Sequence, residues 1–121
     1  MSDEIRLSAT LQVSNGPINA KLSKDIRVDQ TTAGAWQGVQ NIGTTEEVLS
    51  VSGVTAARAI WVQNQDATNY VDWGPESGGA MVAMGRLQPG DISMVTLKPA
   101  VVIRMKANTA AVTVVYMLAE T

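Results

Sequence analysis

The sequence predicts an all-β fold, an antiparallel β-sandwich of jelly-roll type with about eight to ten short strands. Three observations lead there. Apolar and polar residues alternate with period two from the first residues onward. Turn-forming Gly, Pro and Asn residues recur at intervals of roughly 8–12 residues, and no segment has a convincing helical period.

Ile5, Leu7, Ala9, Leu11 and Val13 alternate with Arg6, Ser8, Thr10 and Gln12, as expected for a strand with one buried face. Asn15-Gly16-Pro17 then marks a hairpin, since Asn-Gly tolerates the positive φ that tight turns require. Ile18, Ala20 and Leu22 resume the alternation. Ile26–Asp29 reads as a separate weak run, and Ala35–Ile42 lies between Gly34 and Gly43. Further strands are expected at Val48–Val51, Arg58–Asn64, Tyr70–Trp73, Met81–Leu87, Ile92–Leu97, Val101–Lys106 and Ala111–Leu118.

Two of these depart from alternation. Ala59-Ile60-Trp61-Val62 and Val112–Leu118 carry apolar groups on both faces. Such strands are either covered by a loop or in contact with another subunit.

At 121 residues the chain has the length of one domain, expected to span residues 1–121 with 1–6 as a possible flexible arm. Hydrophobic residues make up 45%, enough for a core, while charged residues reach only 17%. An average domain has about 25% charged residues, so more of this surface is open to burial in an assembly. The nine Lys and Arg residues are scattered, and the net charge is −2. Neither nucleic-acid binding nor polybasic membrane attachment is expected from that distribution. The opening Met-Ser-Asp-Glu-Ile lacks the basic start and apolar run of a signal peptide, and no apolar stretch is long enough to span a bilayer.

The sequence contains no Cys and no His, which removes disulfides, thiolate and imidazole catalysis, and ordinary zinc sites. The densest polar cluster is Gln63–Gly74. Asn64, Asp66 and Thr68 have the spacing that opens a calcium loop. Asn69 stands where the loop needs glycine, however, and Pro75 where it needs glutamate. A polar hairpin turn, with Asp66 and Asn69 bonding their own backbone, is the better reading. The carboxylate pairs Asp66/Asp72 and Glu46/Glu47 have no marked partner and read as solvated surface groups. Gly78-Gly79 and Gly85 lack the lysine and helix start of a phosphate loop. No cofactor, metal or catalytic residue is expected, and the chain reads as non-enzymatic.

Trp61, Tyr70 and Trp73 are close in sequence. Trp61 is expected to point inward, which leaves Tyr70 and Trp73 to divide between core and interface, or to form a glycan platform.

The segment VDQTTAGAWQGVQNIGTTEEVLSVSGV (Val28–Val54), followed by IWVQNQDATNYVDWG, RLQPGDISMVTL and IRMKANTAAVTVVYML, resembles a family of small virion proteins of tailed bacteriophages. The shared marks are turns: Asn-x-Asp-x-Thr-Asn-Tyr-Val, Leu-x-Pro-Gly-Asp and Lys-Ala-x-Thr-Ala. The resemblance covers about three quarters of the chain. It implies a structural protein made in the host cytoplasm and incorporated in the virion. The most specific form is a capsid decoration or cement protein, a homo-oligomer with a trimer as the expected state, bound to the major capsid protein or another virion protein. Candidate interface residues are Ile5, Arg6, Tyr70 and Trp73. A tail, neck or fibre-associated protein and a carbohydrate-binding adhesion module are the alternatives.

Overall fold

The computed structural model describes residues 4–30, 34–51, 53–54 and 56–120. It is all-β, an antiparallel β-sandwich, and among the described residues it has eleven strands and no helix. The chain falls into a hairpin unit, Met1–Ala33, and a larger unit, Gly34–Glu120.

In the hairpin unit, β1 (Ile5–Asn15) and β2 (Ile18–Val28) pair antiparallel along their whole length. Asn15 pairs with Ile18, so the turn is Gly16-Pro17, with positive φ (56°) at Gly16 only. This corrects the expectation that both residues of Asn-Gly form the turn. Proline's fixed negative φ suits the second turn position, and Asn15 is left in the ladder. The weak run at Ile26–Asp29 is the end of β2, because Lys24 and Asp25 continue the same register. One face stacks Leu7 against Ile26, Leu11 against Leu22 and Val13 against Ala20. The other carries an Arg6–Asp25 ion pair at 2.7 Å and a Thr10–Ser23 hydroxyl contact at 2.9 Å. Ile5 and Arg6 open β1, opposite Val28 and Arg27. The N-terminal arm is therefore not free through Arg6, and its first residues, 1–3, lie outside the described residues.

The larger unit is the sandwich. Its strands are β3 (Ala35–Ile42), β4 (Glu47–Val48), β5 (Ala57–Asn64), β6 (Val71–Ser77), β7 (Ala80–Met81), β8 (Gly85–Leu87), β9 (Ile92–Thr96), β10 (Ile103–Ala107) and β11 (Val112–Glu120). One sheet has the order β3-β11-β5-β9; the other runs β4-β10-β6-β7, with β8 also paired to β6. From β3 onward the chain changes sheet at nearly every connection, so most turns cross the sandwich. Val112, Val114, Tyr116 and Leu118 of β11 pack with Ile60, Val62, Val71, Trp73 and Met105 to form the core.

Several strands differ from their predicted extents, the expected Val48–Val51 strand shrinking to β4, Glu47–Val48, and two of them differ for evident local reasons. Gly74-Pro75 was expected to end β6, but both residues lie inside it, where a Cβ on Gly74 would collide with the Val82 carbonyl. The expected Met81–Leu87 strand is two pieces, β7 and β8. Between them Val82 N–H turns to Pro75 O (2.8 Å) and Met84 N–H to Trp73 O (2.9 Å).

Candidate functional site

Asn64 ends β5 and is the one buried polar side chain among the described residues, with no solvent exposure. Its Nδ2 donates to Asn69 O and Leu87 O, both at 2.9 Å, and its Oδ1 accepts from Asp66 N–H at 2.7 Å. Every hydrogen-bonding direction of the amide but one is thereby used. Its backbone is engaged as well. Asn64 N–H donates to Asp91 O and Gly90 N–H donates to Asn64 O, both at 3.0 Å.

Around it the three turn motifs converge. Asp66 Oδ2 accepts from Asn69 N–H (2.6 Å), Thr68 N–H (3.0 Å) and Thr68 Oγ1 (3.3 Å). The backbone donors of Asn69 and Thr68 hold this carboxyl below the ordinary aspartate range. Asp91 Oδ2 accepts from Gln88 N–H at 3.0 Å, closing the Pro-Gly turn. From the Lys-Ala-x-Thr-Ala turn, Thr109 Oγ1 donates to Asn69 Oδ1 (2.9 Å) and Asn108 N–H to Tyr70 O (3.3 Å). Gln65 N–H donates to Thr113 O at 2.9 Å.

The cluster is thus a knot of hydrogen-bonded polar groups at one end of the sandwich, in which the buried Asn108 Oδ1 is left without a partner. Asp66 does bond its own backbone, as expected, whereas the Asn69 side chain bonds the hydroxyls of Thr68 and Thr109 instead. The segment is not a hairpin turn, however: β5 and β6 belong to different sheets, so it carries the chain across the core. Among the described residues no group of three acidic side chains is arranged to hold a metal.

The other acids are also occupied structurally. Glu46 Oε1 accepts from Met81 N–H (2.9 Å), and Glu47 accepts from Gly43 N–H (2.9 Å) and from Gln40 Nε2 (3.0 Å). These two are half-buried turn anchors rather than solvated groups. Asp72 pairs with Arg86 at 2.7 Å and Glu76 with Arg104 at 2.9 Å.

The predicted interface residues separate. Trp73 is interior at 7% exposure, part of the core. Tyr70 is half-buried, with the Arg86 guanidinium 3.8 Å from its ring centroid. It borders a polar depression of about 250 Å³ shared with Asp72, Lys106, Asn108 and Thr109. Arg6 is exposed and tied to Asp25, and Ile5 opens β1.

Trp61 is a correction. Ile60 and Val62 face the core at 3% exposure each, so Trp61 between them points out of the sandwich. In register it lies between Met117 of β11 and Met94 of β9. The adjacent row on the same face is Val39–Val115–Gln63–Ile92. Val39 is 69% exposed, Ile92 59% and Met117 45%. None of these residues is charged. The outer face of the other sheet is the opposite case, with Lys106, Asp72 and Arg86 aligned across three strands. The two-faced apolarity of β5 and β11 therefore marks an exposed apolar surface. Its signal was present in the sequence, but the inward assignment of Trp61 hid it.

Comparison with known proteins finds no matching family model, no matching curated protein and no matching solved structure.

Proposed function

We propose that this chain is a non-enzymatic structural protein of a tailed-phage virion, most concretely a capsid decoration or cement protein that binds assembled heads as an oligomer of identical copies. The observation that carries this reading is the uncharged outer face centred on Trp61. Depletion of charge with enrichment of Trp and Met is the composition of an interface core. The resemblance of Val28–Val54 and the three turn motifs to phage virion proteins supplies the setting. Carboxylates spent on turns and ion pairs fit a scaffold better than a catalyst. A tail, neck or fibre position is the alternative within the same setting. The carbohydrate-binding alternative loses its main support, because the Trp73 indole is interior and Tyr70 alone borders the polar depression.

The test mixes purified protein with heads that lack it and follows sedimentation and particle mass. Saturable binding at a fixed copy number per head is expected. Binding to tails with none to heads would replace the cement reading by the tail alternative.

A further inference from the structure

Among the described residues, β3 is the longest edge strand of the sandwich without charge or proline. Edge strands present unpaired backbone groups, and proteins guard them by keeping them short or by placing charges or proline on them. β4 and β7 have two residues each and β8 has three, while β9 at the other end of the Trp61 sheet has five. β3 has eight, Ala35-Trp-Gln-Gly-Val-Gln-Asn-Ile42, with no charge and no proline. It is the end strand of its sheet and pairs with β11.

We propose that β3 pairs antiparallel with β3 of a second copy, across a two-fold axis through Val39, to make one continuous eight-stranded sheet. The occupant is argued from self-complementarity. A two-fold contact brings each residue against its own strand, so a charged edge would repel itself and an uncharged one does not.

Parity fixes the register further. Outer-face residues must meet outer-face residues, so the axis passes through a residue and not between two. Centred on Val39, the pairing sets Gln37 against Asn41, two amides that each donate and accept. Gly38 meets Gln40 on the inner face, where the Gln40 amide is already held by Glu47, Val48 and Ser50 of its own chain, and Val39 meets its own copy. At 69% exposure Val39 is the most exposed large apolar residue of β3. The joined sheets also merge their Trp61 faces into one apolar surface, which a foreign single strand would not do.

Seven paired residues span about 24 Å. That contact is small beside the ~800 Å² per partner of a standard stable interface, so the pair forms in a concentration-dependent way. The inference goes beyond the virion reading and stands without it, since it concerns the free protein.

The test is sedimentation velocity on the full chain over a concentration series, with Val39→Lys, Val39→Glu and their equimolar mixture. The wild type is expected to pass from monomer to dimer. Each variant alone should weaken dimerisation at least tenfold, with unchanged circular dichroism because the site is exposed. The mixture should recover a heterodimer by native mass spectrometry, since Lys then faces Glu across the axis. A wild type that stays monomeric, a trimer (which needs a different, heterologous contact), or variants that dimerise like the wild type would each overturn the proposal.

Discussion

The indole of Trp73 lies across Gly85, its cross-strand neighbour, so closely that a Cβ on Gly85 would stand 2.5 Å from Trp73 Nε1 and 2.7 Å from Cε2. The glycine is there because the ring is. Trp73 is interior and cannot swing into water, so Gly85→Ala should cost about 1–3 kcal/mol, the range for overpacking a filled core. Trp36 stands over Gly38 in a similar way, with 2.7 Å from the added Cβ to Nε1, but that ring is 36% exposed. It can move at the expense of its 3.2 Å hydrogen bond to Tyr116 Oη, about 1 kcal/mol. Urea denaturation of both variants should therefore rank Gly85→Ala clearly below Gly38→Ala.

Asn64 should be the least replaceable polar residue. Asn64→Ala leaves the buried Leu87 carbonyl, and the part-buried Asn69 carbonyl and Asp66 N–H, without the partners they have now. A loss of about 2–4 kcal/mol is expected in chemical denaturation. Asn64→Asp should be worse despite its similar shape, because a buried carboxylate would face two carbonyl oxygens where the amide donated.

Acid should loosen the same knot. The Asp66 carboxyl is held low in the folded state by the N–H groups of Asn69 and Thr68. A lowered folded value means the stabilisation is fully present above the ordinary aspartate value of about 3.9. It is lost as pH falls through the lower folded value. Thermal melts of wild type and Asp66→Asn should thus differ at pH 7, with the variant less stable. The two curves should converge toward pH 2, whereas a gap that persists there would argue against the linkage.

The outer sheet face should separate stability from assembly. Met117→Lys is placed at 45% exposure in the row of Trp61 and Met94. Its melting temperature should stay within a few degrees of wild type, while, on the proposed cement role, attachment to heads is lost. Val114→Lys, three residues earlier on the same strand but on its buried face, should fail to fold. If Met117→Lys binds heads normally, that face is not the contact surface.

Much of this fold was legible in local chemistry. Glycines at 34 and 43 bracket β3 with the bounds observed, and the Asn15–Pro17 region located the first hairpin. What local chemistry does not encode is destination. A polar run such as Gln65–Asn69 looks the same whether the next strand pairs with the last one or crosses to the opposite sheet. The deciding partners of Asn64 are Leu87, Gly90 and Asp91, far along the chain. The half-burial of Glu46 was hidden likewise, because Met81 N–H reaches it from β7, distant in sequence. Trp61 was misassigned because an apolar residue amid apolar neighbours carries no label for its face.

β11 lies between β3 and β5, and it leaves the ribosome after both of them. Until it arrives neither strand has its principal partner, and the apolar surface meant for the core stays open on the nascent chain. Such a topology has a high contact order and is slow to form. Folding therefore waits for the end of this segment to be made, and a chaperone that shields β3 and β5 during that interval would raise the yield of native protein.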